Sequence, residues 1–201
     1  MSVVKNKNGR GILLAMVHAI QQNKQLLGDV DGLIGDGDHG ITIMSCREGL
    51  NFSANIESDA APLNHLIADV LAAAPNTRCF RDPTRGGIAS TLNELAEQSG
   101  TDITVDEDAI PVKDAVLGAC EMLGYDVMQV ANEGKMVCVV AADEAEAALA
   151  AMRKSPYGAD AIIGRVTEAD PARGPKVFLR TAFGSTRILD MLVGEQLPRI
   201  C

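Results

Sequence analysis

A chain of 201 residues with 47% hydrophobic and 22% charged residues carries enough apolar material for a packed core, which excludes a disordered polyelectrolyte. With 27 acidic against 18 basic residues the net charge is −9, so nucleic acid and anionic lipid surfaces are repelled rather than attracted. No apolar run approaches the ~20 residues that a spanning helix needs, and the apolar stretch at residues 12–20 leads to no cleavage pattern; the expected location is cytoplasmic.

In chain order, residues 10–27 place Ile12, Leu13, Met16, Val17, Ile20 and Leu27 at helical spacing. The segment DVDGLIGDGDHG is too rich in Asp and Gly to be anything but a loop. A second helix is expected over 39–50, an irregular stretch over 51–57, and a third helix opening at Ser58-Asp59 with Pro62 in its first turn and closing near Ala73 before Pro75. Residues 78–80 read as a short strand, RDPTRGG (81–87) as a loop, and 88–98 as a helix stopped by Ser99-Gly100. A strand is expected over 102–106 and a helix over 112–123. KMVCVVA (135–141) reads as a central strand, and Asp143 as the cap of an Ala-rich helix to about Lys154. Residues 161–167 and 176–181 read as two strands joined in a hairpin-like way by ADPARGP. From Gly184 the pattern is mixed, with a short apolar stretch at 188–193.

This succession predicts an α+β fold, a mixed or antiparallel sheet covered by helices, preceded by an N-terminal helix. The expected organisation is an N-terminal helix and Asp/Gly loop over 1–38, then a domain over 39–201 with a mobile C-terminal tail. Aromatics are 3% and Trp is absent, so aliphatic residues and methionines such as Met44, Met122, Met136 and Met152 are expected to fill the core. Of the five cysteines, Cys46, Cys79, Cys120 and Cys138 have apolar neighbours and read as small core residues; no CxxC pair suggests a zinc site. His18 reads as partly exposed and His65 as a structural histidine.

Four constellations can carry chemistry. Cys201 is the last residue, and a terminal thiol suits a carrier arm, set against a chance terminal residue. In RDPTRGG, directly ahead of a helix, Gly86 and Gly87 let backbone N–H groups approach an anion. Arg81 and Arg85 supply charged donors there, Thr84 lies between them, and Asp82 could hold a metal or orient an arginine. The same string also serves as a capping turn. Asn132, Glu133 and Lys135 stand at the entrance to the KMVCVVA strand, where they fit acid–base or nucleotide contacts, or an ordinary polar turn. Asp31, Asp36 and Asp38, spaced by glycines, can gather around a hard cation such as Mg2+, or simply form a turn.

Taken in order, GDHGITIMSCREGL, ESDAAPLNHLI, RDPTRGGIASTLNELAEQSG, IPVKDAVLGACEMLGYD, VANEGK, DAIIGRV and the ending LPRIC resemble the HypE family of hydrogenase maturation factors, over about four-fifths of the chain. The resemblance implies a PurM-like C-terminal domain and ATP-dependent dehydration of a carbamoyl group on the C-terminal cysteine to a thiocyanate, the precursor of a cyanide ligand. It implies Cys201 as carrier nucleophile and Glu133 as base. RDPTRGG, with Asp82, Thr84, Arg85, Gly86 and Gly87, would face phosphate, supported by Asn132 and Lys135. It further implies ATP and Mg2+ as cofactors, the carbamoyltransferase HypF and the HypC–HypD complex as partners, and the option of a homodimer. The family's N-terminal ATP-binding domain is not matched, so impaired unaided turnover is expected, with a non-catalytic module presenting Cys201 as the alternative. Residues 1–38 instead resemble the start of a DhaL-type dihydroxyacetone kinase subunit. In that family the D-x4-D-x-D pattern binds Mg2+ and ADP, here Asp31, Asp36 and Asp38, and a chimera joined within residues 36–41 is expected.

Overall fold

The computed structural model describes residues 61–155 and 161–191, all within the unit Gly37–Cys201 into which the chain divides. The helices expected over 10–27 and 39–50, the loop bearing Asp31, Asp36 and Asp38, His18, Cys46, Met44 and Cys201 lie outside the described residues.

The first described helix, α1 (Asn64–Ala73), buries Leu66 and Val70, four residues apart and so on one face. It begins two residues after Pro62, and its cap residue Leu63 offers no side-chain hydrogen bond. Strand β1 (Cys79–Arg81) follows. Helix α2 (Gly87–Ser99) buries Ala89, Leu92 and Ala96 and ends where the N–H of Gly100 returns to the Ala96 carbonyl. After β2 (Thr101–Asp106) come α3 (Asp114–Leu123), a 3-10 turn at Val127–Gln129, β3 (Val137–Val139) and α4 (Ala145–Met152). Strands β4 (Gly164–Glu168), β5 (Val177–Arg180) and β6 (Thr186–Ile188) complete the described chain.

The main sheet has the order β4-β2-β5-β6. β2 runs antiparallel to β4, parallel to β5, and β5 antiparallel to β6, with Ile103 opposite Val166 and Val177, and Phe178 opposite Ile188. Ile103, Val105, Val177 and Leu179 alternate onto the face that α2 covers, where they meet Ala89, Leu92, Ala96, Met128 and Leu189. Removing each such branched side chain from water contributes roughly 1.5–3 kcal/mol, and this layer is the main core. A second layer packs Leu66, Val70 and Ala74 against Ala148 of α4, with Phe80, Met136, Cys138 and Met152 at its border. The ends of α1 and α4 are tied by Glu144, whose carboxylate accepts from the Asn76 backbone at 2.9 Å and side-chain amide at 2.6 Å.

The α+β class and the helix-covered sheet agree with the sequence reading, whereas several local readings are corrected. KMVCVVA is not a central strand: among the described residues only Val137, Cys138 and Val139 pair, with β1, in a two-stranded sheet apart from the main one. β4 and β5 are not a hairpin, because β2 lies between them. Asp102 of β2 draws the connecting turn inward, accepting from Arg173 at 2.6 Å and from the Lys176 backbone at 2.8 Å, while the Arg173 guanidinium stacks 4.9 Å from the Phe178 ring centre. Asp143 caps no helix; it lies in a 3-10 turn, Ala142–Glu144, ahead of α4. Met122 is 72% exposed on the outer side of α3 and fills no core. His65 is exposed in the first turn of α1 rather than packed as a structural residue. Cys120 is buried as expected, while Cys79 and Cys138 are half-buried. Among the described residues, no helix is long and apolar enough to cross a membrane.

Candidate functional site

RDPTRGG leaves β1 and enters α2, so its ends are fixed by a strand and a helix. The conformation between them depends on Gly86 (φ 66°) and Gly87 (φ 64°), both left-handed. Gly87 is also pressed against the 3-10 turn: a Cβ there would sit 2.5 Å from the Met128 carbonyl oxygen and 2.7 Å from that of Val130. The loop therefore follows the backbone of residues 128–130 more closely than any side chain would permit. The Thr91 hydroxyl donates to the Asp82 carbonyl at 3.3 Å.

Within this frame a polar hollow of about 330 Å³ is lined by Arg81, Asp82, Thr84, Arg85 and Thr91. Arg81 is held from behind by Glu94 at 2.7 Å and lies 3.7 Å from Asp82. The Thr84 hydroxyl donates to Asp82 Oδ2 at 2.7 Å. That bond is the main reason the Asp82 carboxyl titrates below the ordinary aspartate value; partial burial opposes the shift, and the fields of Arg81 and Arg85 assist it. Glu94, by hydrogen bond and charge, holds the Arg81 guanidinium more firmly protonated. Arg85 is exposed and has no ion pair with a described residue. Two guanidinium groups, two hydroxyls and the start of a thirteen-residue helix fit a phosphoryl group. For a divalent cation the described residues offer Asp82 alone, and among them no group of three His, Cys, Asp or Glu side chains is assembled.

The second predicted constellation comes to the same place. The Asn132 N–H donates to the Pro83 carbonyl at 3.1 Å, joining the turn Asn132-Glu133-Gly134-Lys135 to the middle of RDPTRGG. Asn132 is braced by its amide, which donates to the Val130 carbonyl at 2.8 Å, and Lys135 Nζ reaches Asn132 Oδ1 at a long 3.4 Å. Glu133 is half-buried in that turn. Of the predicted residues, Asp82, Thr84, Arg85, Gly86, Gly87, Asn132, Glu133 and Lys135 thus lie on two segments joined by one backbone bond. Thr91 and Glu94 were not singled out from sequence. Their only signal is position, one and two turns into the helix that follows the loop.

Comparison with known proteins gives this arrangement its context. The profile of the AIR synthase related protein, C-terminal domain, matches residues 26–174, and so begins inside the segment that sequence reading set apart as 1–38. The chain is 53% identical over 173 residues to the carbamoyl dehydratase HypE of Rhodobacter capsulatus, covering 86% of this chain and 49% of that protein. It superposes on a crystal structure of the hydrogenase maturation protein HypE in complex with ATP with a TM-score of 0.74 and 45% identity, covering 83% of this chain and 50% of that one. On the structure of a HypE–HypF complex the TM-score is 0.71 with 44% identity, covering 78% of this chain and 50% of that one. The chain thus spans about half the length of the relatives it matches. The chain belongs to the family of AIR synthase related proteins, as their C-terminal domain, and within it is similar to HypE.

Proposed function

We propose that this chain serves [NiFe] hydrogenase maturation as a HypE-like carbamoyl dehydratase domain with Cys201 as its carrier thiol. The observation that carries the reading is the bond from Asn132 N–H to the Pro83 carbonyl. It sets an acid–base turn against an anion-binding loop, the pairing that removal of an amide oxygen at the expense of a phosphoanhydride requires. In the overall change a carbamoyl group on sulfur, S–C(O)–NH2, and ATP become S–C≡N, ADP and phosphate: the elements of one water leave the sulfur-bound group, its oxygen ending in the phosphate. Arg81, Arg85, Thr84, Thr91 and the α2 N-terminus hold the phosphoryl end. Glu133 takes the amide protons, with Asn132 and Lys135 positioning that end of the turn. Asp82 would be the residue here to hold Mg2+, which would supply charge neutralisation to the phosphates.

In this reading HypF loads the carbamoyl group, HypC–HypD receives the cyano group, and the compartment is the cytoplasm; the solved complex of HypE with HypF supports the first partner. The test is intact-mass analysis of the chain carbamoylated on Cys201 and incubated with Mg2+ and ATP. Slow loss of one water, in keeping with impaired unaided turnover, and none from Glu133→Gln, is expected. Carbamoylation without water loss would replace the dehydratase by a module that only presents Cys201 to its partners.

The DhaL-like spacing of Asp31, Asp36 and Asp38 is proposed separately as a Mg2+–ADP site, in a segment joined to the HypE-like domain as a chimera. Titration of Mg2+–ADP into the chain and into Asp36→Ala decides it, and equal absence of binding in both removes the idea.

A further inference from the structure

Arg81 and Arg85 both line the hollow, but the chain surrounds them differently. Arg81 ends β1, where it pairs with Val137, and the carbonyl of the next residue accepts from the Thr91 hydroxyl at 3.3 Å. Its guanidinium donates from Nη2 to Glu94 Oε2 at 2.7 Å, while Nη1 lies 3.7 Å from Asp82 Oδ1. The other oxygen of Asp82, Oδ2, accepts from the Thr84 hydroxyl. Thr91 and Glu94 are three residues apart on α2, so one face of that helix fixes both the backbone beside Arg81 and the end of its side chain. Arg85 is exposed and has no ion pair with a described residue. Two carboxylates thus pair with one arginine, and no described carboxylate pairs with the other.

We infer that Glu94 is a positioning residue of the phosphoryl site: it aims the Arg81 guanidinium and offsets its charge, leaving Arg85 as the cation that draws the anion in. The two roles follow from the two surroundings. A guanidinium held along one edge keeps its remaining N–H donors in a fixed plane, and donors already oriented cost no reorganisation when negative charge arrives. The adjacent carboxylates cancel its attraction at a distance, so Arg81 contributes direction rather than field. A guanidinium without such neighbours contributes field, which steers an anion from afar and is screened by salt. The side chains of Arg81 and Glu94 are 46% and 42% exposed, and an ion pair so open to water adds little to stability. Orientation is therefore the larger consequence of a carboxylate at this place, and the pair can be altered without unfolding the chain. This role for Glu94 rests on the reading of the hollow as a phosphoryl site.

Two measurements on the full chain, with inorganic phosphate as the probe and no added metal, test it. In nitrogen–proton NMR spectra of the arginine side chains, the Nη protons of Arg81, assigned with Arg81→Lys, should be resolved in the wild-type chain through slow rotation about Nε–Cζ. They should merge in Glu94→Ala. Merged signals in the wild type, or resolved signals that persist in a folded Glu94→Ala, overturn the positioning role. In phosphate titrations at low ionic strength, Arg85→Met should weaken binding roughly fivefold and flatten its salt dependence. Glu94→Gln keeps an acceptor for Arg81 but removes the charge, and should tighten binding roughly two- to threefold, which a residue serving only the fold would not do. An affinity equal to the wild type in either variant overturns the division of roles while the phosphoryl reading stands. Phosphate that binds none of these chains overturns the phosphoryl reading, and the role of Glu94 with it.

Discussion

Asn132 donates its backbone N–H to the Pro83 carbonyl at 3.1 Å across 49 positions of sequence, and this bond joins a loop that leaves β1 to a turn that enters β3. Because β1 and β3 also pair, with Cys79 opposite Val139 and Arg81 opposite Val137, the two segments are held at both strand and loop level. A backbone donor at that place cannot be removed by an ordinary side-chain substitution. The contact between the RDPTRGG loop and the Asn132 turn is therefore insensitive to most sequence change, and the consequences below concern the side chains around it.

Gly87→Ala should destabilise by roughly 2–4 kcal/mol, combining the left-handed backbone penalty with overlap against residues 128–130. Gly118→Ala, on α3 with nothing within 4 Å of its added methyl, should instead stabilise by about 0.5–1 kcal/mol. Urea unfolding of both variants checks the pair, with opposite displacements of the midpoint at constant slope. Equal displacements would mean that the packing of Gly87 has no energetic consequence.

Asp82 should titrate below the ordinary aspartate value of about 3.9, and Thr84→Val should raise its pKa more than Arg85→Met does, since the Thr84 bond is the largest cause of the shift. The folded-state pKa is depressed, so the stabilisation is present above the unfolded-state value and disappears as pH falls through the folded one. Carboxyl-carbon NMR titration of the two variants reads the order directly.

Asp102 obeys the same sign. The Arg173 bond, followed by the Lys176 N–H, depresses its pKa against the opposing effect of desolvation. Stability of the sheet should therefore fall as pH drops below about 4, and Asp102→Asn should flatten that limb. Arg173→Met should lower the urea midpoint at pH 7 more than at pH 2, because at neutral pH it leaves a carboxylate without its partner. A midpoint difference independent of pH would show that Arg173 acts through its stacking on Phe178 instead.

Burial, with a smaller contribution from Cys79, pushes the Cys138 thiol up to about 11. Iodoacetamide at pH 7.5 should leave Cys138 unmodified in the folded chain and label it once the chain is unfolded. Peptide mapping after a timed pulse measures this, and rapid labelling in the folded state would contradict the assigned environment.

Much of the fold was legible where the determining contacts are local. α2 could be read from Ala89, Leu92 and Ala96 on one face and from Gly100 as its stop, because helical periodicity and a left-handed cap are properties of a short window. The failures are non-local. β4 and β5 looked like a hairpin because the strand that separates them, β2, lies far upstream. The run 135–141 looked central because it is rich in β-formers and holds no breaker, yet among the described residues only Val137, Cys138 and Val139 find a strand partner. Met122 resembled core because its chemistry does, while its place on α3 faces solvent. RDPTRGG could be picked out as a candidate loop from its own residues; its union with Asn132 could not, and came only through resemblance. The side-chain amides of Asn93 and Gln129 donate to the carbonyls of Leu189 and Asp190, and nothing in the sequence marks them, since an amide that ends up on a backbone carbonyl has the same letter as one left in water.

The parallel pairing of β2 with β5 carries a consequence for biosynthesis. Asp102 meets Lys176 across 74 positions, so on a ribosome the middle strand of the sheet emerges long before its neighbour exists. Until residues 177–180 have been made, the apolar side of β2, with Ile103 and Val105, lacks Val177 and Leu179 as neighbours, although Ala89, Leu92 and Ala96 of α2 and Met128 already exist. Closure of so long a loop is slow relative to forming the helices, which makes the nascent chain vulnerable to association during that interval. Chaperone dependence should accordingly be greatest for chains halted between β2 and β5.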